Sequence, residues 1–264
     1  MENNKIIDLS ILRGKKIYIA TPMYGGMATS NYIMSVIELT GICVQNNIQL
    51  FFGFCSNESL VTRARNTLVS NFMDDEYDYL FFIDADIGFD KSDFLYMLHA
   101  AVTKNIDVIC AAYPQKRIAW EIIEKARKSK LINKDSDYAQ YSGIYGINFE
   151  EKEKRINLKE LNEVMECSTG FMLISKQTFV NFKNAYPEQE YTADQNDNNK
   201  KMFAYFDTMI DKDTGRYLSE DYMFCKYIKN IGIKIWFAPW IKLNHVGTNV
   251  FSGTYEGFVN AIKK

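Results

Sequence analysis

The sequence is short of the residues that most often build metal centres and redox sites. Its 264 residues include two histidines, and its five cysteines (Cys43, Cys55, Cys110, Cys167 and Cys225) are scattered with no CxxC pair. Zinc held by cysteine is therefore not expected. Four of the cysteines sit inside apolar runs and read as small core residues in a reducing compartment. Long hydrophobic runs are missing as well. The longest, near Leu50–Cys55 and Val108–Tyr113, are far too short to span a bilayer, and no positively charged segment followed by an apolar stretch opens the chain. The expectation is a cytoplasmic protein with no membrane partner. Neither GxGxxG nor GxxxxGK[ST] occurs, which disfavours a dinucleotide dehydrogenase or a P-loop enzyme. A charge excess is absent too: a net charge of −2 does not advertise nucleic-acid binding, although a local basic patch can exist within a near-neutral whole.

What is present is a chain of ordinary soluble composition, 47% hydrophobic and 24% charged, long enough for one large α/β domain or two small ones. No internal repeat or linker divides it, so a single domain over residues 1–264 is expected, with residues 1–14 a loosely tied leader. The first half alternates strand and helix signals. Lys16–Ala20 is a β-branched run that ends in Thr-Pro and then Gly25-Gly26. Thr29 or Ser30 can cap a helix to about Gln45, and Gln49–Cys55 is the second strand. A helix over Ser59–Asn71, a strand over Asp78–Ile83, a helix from Ser92 and Asp93 to near Lys104, and a strand over Asp107–Ala112 follow; Pro114 stops the last. Strands separated by helices of this length imply right-handed crossovers and a parallel sheet. Beyond Pro114 the regularity fades. Trp120–Leu131 is helical in pattern, Glu150–Glu163 reads as a solvated excursion, and Thr169–Ile174 returns to the sheet. Lys183–Lys201, rich in Asn, Asp and Gln, reads as a mobile loop. A helix over Glu220–Ile231 and a strand over Lys234–Ala238 precede a polar tail.

The strongest chemical signal is Tyr79–Phe89, YLFFIDADIGF. Its apolar half belongs in the sheet interior, which puts Asp84 and Asp86 at the carboxyl end of a strand, where open α/β sheets bind ligands. In extended backbone the two carboxylates would point the same way and could hold a hard divalent cation. The plainer alternative is one helix cap and one solvated turn residue. In LSEDYMFC, Ser219 can cap a helix with Glu220 and Asp221 in its first turn; Asp221 is either a general base or simply a helix-starting acid. In LNHVG, His245 follows a strand and precedes a glycine, where imidazole could complete a metal shell or merely sit in a turn. His99 falls within a helical pattern and reads as structural. The loop Thr21-Pro22-Met23-Tyr24-Gly25-Gly26 could hold a base and ribose with backbone amides and an aromatic ring. In LVTRARN, Arg63, Arg65 and Asn66 suit ribose or phosphate oxygens, or else the basic helix face pairs with Asp74, Asp75 or Glu76.

TPMYGG, LVTRARNTLV, YLFFIDADIGF, AAYPQK, STGFMLISKQTF, YLSEDYMFCKYIKNIG and LNHVG, in this order, resemble GT-A glycosyltransferases of the family 2 kind and their relatives, including the Anp1/Mnn9-like mannosyltransferases. The resemblance covers most of residues 16–250. It implies a GT-A, Rossmann-like fold with a mostly parallel central sheet flanked by helices, and a nucleotide diphosphate sugar donor, UDP by default. It implies Mn2+ or Mg2+ on Asp86 with Asp84 near the donor ribose or the metal, His245 as a further ligand, and Asp221 as the catalytic base. Thr21, Pro22, Tyr24, Arg63, Arg65 and Lys116 would lie on the donor side, and Gly170 and Glu220 on the acceptor side. The chain lacks the QxxRW segment of large family 2 polymerases, so transfer of one sugar, with inversion, is expected rather than processive synthesis. Similar compact proteins occur in bacteriophages and large DNA viruses, where some glycosylate modified DNA bases. The acceptor stays open between such a base and a surface glycan or lipid-linked sugar. Two other classes compete: a nucleotidyltransferase, disfavoured because TPMYGG lacks the expected lysine and arginine, and a non-catalytic binder of nucleotides or sugars.

Overall fold

The first apolar run forms β1 (Lys16–Met23), in which Ile17 to Thr21 are all buried. A strand covered on both faces shows a continuous apolar run rather than alternation, as this one does. The structure, a computed structural model, describes residues 7–150, 156–193, 199–248, 254, 255 and 259. The chain continues through α1 (Ser30–Gln45), β2 (Gln49–Ser56), α2 (Val61–Asp74), β3 (Tyr79–Ile83), a two-residue β4 (Ile87–Gly88), α3 (Lys91–Lys104) and β5 (Val108–Cys110). After α4 (Trp120–Lys128) come β6 (Asn162–Val164), β7 (Phe171–Ser175), α5 (Lys176–Ala185), α6 (Glu220–Asn230), β8 (Ile235–Phe237) and β9 (Asn244–His245).

Seven of these strands form one sheet in the order β2-β1-β3-β7-β5-β8-β6. β2, β1, β3, β5 and β8 run parallel, whereas β7 and β6 run against them. The fold is thus α/β with a mostly parallel central sheet flanked by helices. Helices α1 and α3 cover one face, where Phe94 and Leu98 pack with Phe81 and Ile83 of β3. Helices α2, α5 and α6 cover the other, where Phe72, Phe179 and Phe224 join Leu80 and Phe82. The alternation along β3 sends its side chains into these two cores by turns. Helix starts follow local chemistry: Thr29 accepts from the Tyr32 amide at 3.4 Å, and Asp90 from the Ser92 amide at 2.7 Å. No helix among the described residues is long and apolar enough to cross a membrane.

β7 fits antiparallel between β3 and β5, the strands joined through α3, and its register brings Phe171 opposite Ile83. Gly170, one residue earlier, therefore meets the start of the DAD segment. The leader is less loose than expected: residues 1–6 lie outside the described residues, but Leu9–Leu12 form a 3-10 turn and Leu12 is fully buried. Within Lys183–Lys201, the first residues complete α5, and Glu190–Thr192 pairs antiparallel with Lys201–Phe203. Tyr186 anchors this stretch, its hydroxyl donating to the Tyr227 carbonyl at 3.0 Å and its ring meeting Tyr227 at 4.5 Å. Residues 194–198, the part richest in Asn and Asp, lie outside the described residues, as do residues 151–155 of the expected solvated excursion. That excursion ends in β6, which closes the sheet edge. Cys43, Cys110, Cys167 and Cys225 are buried and Cys55 is half-buried, all as free thiols.

Candidate active site at the carboxyl end of the parallel strands

The parallel strands β1 and β3 deliver their carboxyl ends to one side of the sheet. There a cleft of about 630 Å3 opens, lined by Pro22, Tyr24, Asp84, Asp86, Lys116 and His245 among others. At its centre the DAD segment is a turn and not the extended backbone expected from the strand pattern. The Ile87 amide donates back to the Asp84 carbonyl at 3.0 Å, closing the turn. Three further backbone bonds hold it: the Asp84 amide donates to the Gly170 carbonyl at 3.0 Å, the Thr29 amide to the Ala85 carbonyl at 2.9 Å, and the Val246 amide to the Asp86 carbonyl at 2.9 Å. The same-face argument for Asp84 and Asp86 fails for this reason, and the two carboxylates have different partners.

Asp84 turns to Arg65. The guanidinium donates to both Asp84 carboxylate oxygens, at 3.2 and 3.4 Å, and to Glu220 at 3.4 Å. Arg65 is only 3% exposed and lies over the Phe82 ring at 5.0 Å. Burial works against its charge, but Asp84 and Glu220 outweigh it and hold the pKa above the ordinary arginine value. Arg65 Nη1 is buried and makes no hydrogen bond. Gly170 sits against this pair: a Cβ there would lie 2.5 Å from an Asp84 oxygen and 2.6 Å from the Tyr113 hydroxyl. Only a residue without a side chain permits that approach.

Asp86 pairs with Lys116 through one oxygen and faces His245 Nε2 at 3.6 Å through the other. Partial burial would raise its pKa, but the hydrogen bonds from His245 and Lys116 prevail and leave it below the usual carboxylate value. His245 is fixed from behind, its Nδ1 lying 2.8 Å from the Pro114 carbonyl and its ring edge-on to Tyr113 at 4.8 Å. A carbonyl can only accept, so Nδ1 carries a proton there, and Nε2 is the ring nitrogen turned towards Asp86. β9 itself is placed by pairing with β4, His245 opposite Ile87.

At the start of α6, Ser219 does not cap the helix with its side chain; its hydroxyl donates to Asp221 instead. Asp221 also accepts from the Tyr222 amide at 2.9 Å. Burial foremost, and then the neighbouring Glu220 charge, push the Asp221 pKa up to about 6. The helix dipole alone would have favoured ionisation, so burial reverses the expectation from the sequence.

The structure thus gathers Pro22, Tyr24, Asp84, Asp86, Lys116 and His245 in one cleft, with Arg65 and Glu220 linked to it through Asp84. Thr21 is fully buried, its hydroxyl 2.8 Å from that of Tyr32, and it contributes backbone geometry rather than a pocket group. Arg63 pairs with Glu58 at 2.5 Å. Asp221 adjoins Glu220 but does not line this cleft. Among the described residues, no group of three or more His, Cys, Asp or Glu side chains is arranged to hold a metal, and the carboxylate of Asp84, expected beside one, pairs with Arg65. Tyr113, half-buried between His245 and Gly170, was not singled out by the sequence. An aromatic before proline at a strand's carboxyl end was the signal available.

No protein-family model matches the chain, and no curated protein matches it in sequence. Among solved structures it is similar to A197 from STIV, with 18% identity and a TM-score of 0.49 over 89% of this chain and 86% of that one. It is also similar to GalNAc-T7, solved with UDP, GalNAc and Mn2+, with 10% identity and a TM-score of 0.44. In that case 98% of this chain spans 48% of the other, about half its length. Neither likeness bears on the chemistry of the cleft.

Proposed function

We propose that the protein is a GT-A type glycosyltransferase that moves one sugar from a nucleotide diphosphate sugar, UDP by default, to an acceptor hydroxyl with inversion. The observation that carries this reading is the meeting of Asp86, His245 and Lys116 in one cleft at the carboxyl ends of parallel strands, with the Glu220–Asp221 pair joined to it through Arg65. Anionic and cationic groups so mixed suit a charged ligand bound together with a cation, which a purely apolar or purely basic pocket would not.

Asp86 and His245 fit a divalent cation. They offer one carboxylate oxygen and one imidazole nitrogen whose tautomer is set by Pro114, and diphosphate oxygens and water would complete the shell. Mn2+ or Mg2+ bound there would neutralise charge on the departing diphosphate. The chain's own groups divide the remaining work. Pro22 and the exposed Tyr24 offer a surface for the nucleoside. Arg65 fixes Asp84 and Glu220 in place. Asp221, with its pKa near 6, is a carboxylate at neutral pH and basic enough to accept the acceptor's proton as its oxygen attacks. The acceptor is proposed as a hydroxylated or hydroxymethylated DNA base or a surface glycan, and Gly170 as the floor beside it.

Isothermal titration of UDP in the presence of Mn2+, followed by transfer assays with several nucleotide sugars, tests the reading. Absence of Mn2+-dependent nucleotide binding would overturn it. Asp86→Ala should abolish that Mn2+-dependent binding while the melting temperature stays close to that of the parent, since Asp86 faces the cleft and not a core. Metal-dependent affinity that survives the substitution would remove Asp86 from the ligand set. His245→Ala should weaken the Mn2+ dependence without abolishing it, because carboxylate and diphosphate oxygens remain. An unchanged Mn2+ titration of activity would leave His245 with only its packing against Tyr113.

A further inference from the structure

Lys116 reaches the cleft along an unusual path. Its ammonium pairs with Asp86 Oδ2, the oxygen not directed at His245. Its aliphatic stem runs over Gly247, two residues beyond His245 in β9. A Cβ added at Gly247 would lie 2.7 Å from Lys116 Cδ and 3.0 Å from Cγ. The glycine therefore acts as a seat for the lysine, set into the same short segment that presents the imidazole.

We propose that Lys116 is a tethered counter-ion for Asp86 that gives way to the divalent cation and moves to the donor's diphosphate, so that metal and nucleotide bind with mutual reinforcement. This rests on the donor reading above. An ammonium and a dication cannot both sit against one carboxylate without strong repulsion. The cation alone therefore repels Lys116 from its place on Asp86 Oδ2, and the nucleotide alone must draw Lys116 away and leave Asp86 without its partner. Bound together, they share one displacement. The stem lies along a backbone with no side chain, and Lys116 itself is substantially exposed, so the ammonium can swing without disturbing a core. Such sharing is a coupling free energy between two ligands, and it is reciprocal. A lysine that served only as a phosphate contact would make no difference to the affinity for metal alone.

The test is a set of titrations on the full chain: Mn2+ alone, UDP alone in the presence of chelator, and UDP at saturating Mn2+. Lys116→Met should bind Mn2+ alone about tenfold more tightly than the parent, while UDP at saturating Mn2+ binds about tenfold more weakly, each a change of about 1.4 kcal/mol. Opposite movement of the two affinities is what a merely structural lysine would not produce. Gly247→Ala, which unseats the stem but keeps the charge, should also tighten Mn2+ alone, by less. Unchanged or weaker binding of Mn2+ alone by Lys116→Met overturns the inference. If the parent binds Mn2+ but not UDP, the donor reading fails on its own. The affinity of Lys116→Met for Mn2+ alone would still decide whether Lys116 competes for Asp86.

Discussion

Asp221→Asn should keep its affinity for the nucleotide and lose roughly 10²–10⁴-fold in turnover, the usual size of a general-base contribution. The amide preserves shape and can still meet the Ser219 hydroxyl and the Tyr222 amide, but it cannot accept a proton from the acceptor. Two further results follow from its pKa near 6. In the parent, kcat/KM should fall as pH drops through about 6, because the base is lost to protonation. Stability should move the other way. A carboxyl whose folded pKa lies above its unfolded value of about 4 binds protons more tightly in the native state, so the native state loses stability as pH rises from about 4 to about 6. At pH 7 the ionised, partly buried Asp221 is a cost of about 1–3 kcal/mol, and Asp221→Asn should recover part of it as a higher melting temperature. Product NMR should show an anomeric configuration opposite to that of the donor. A variant with near-normal turnover, or a retained configuration, would return Asp221 to the role of a helix-starting acid.

Arg65→Met should be the most destabilising single change in the site, by about 3–5 kcal/mol, because removing one partner of a buried ion pair strands the other. Here two carboxylates, Asp84 and Glu220, would face each other without the guanidinium that separates them. The methionine can still pack on Phe82, so the loss reports charge more than volume. Urea unfolding measures it. Combining Arg65→Met with Glu220→Gln should restore a portion, since one of the stranded charges is then gone. A loss below about 1 kcal/mol in the single variant, the range of an exposed pair, would show that the triad is not a structural unit.

Much of this architecture is legible in the sequence, and not only before Pro114: α4, β7, α6 and β8 also lie within a few residues of where their patterns place them. α1, β2, β3 and α3 lie within a few residues of where periodicity and capping residues place them, because local chemistry and burial agree there. β7 is the instructive case. Phe171–Ser175 reads as a strand, but its antiparallel insertion between β3 and β5 is a matter of tertiary pairing that no local pattern encodes. In the site, Asp84, Asp86 and His245 announce themselves by residue type and position at strand ends. Their division into separate partnerships does not, because it depends on a backbone turn and on Arg65 arriving from α2. Asp221 was legible as an acid in a first helical turn, whereas its raised pKa comes from burial that only the packed structure supplies.

The backbone bonds of the DAD turn also bear on how the protein comes into being. One comes from Thr29, ahead of it in the chain, and others reach Gly170 and Val246, far behind it. Contacts of such long sequence separation form slowly, since the intervening chain must first be confined. During synthesis the early strands β1, β2 and β3 can pair while the later strands are still being made, yet Asp86 has neither His245 nor the Val246 amide until β9 has emerged. The cleft should therefore be completed only once β9 has been made. A chain cut short before β9 could keep much of the sheet and still have no working cleft.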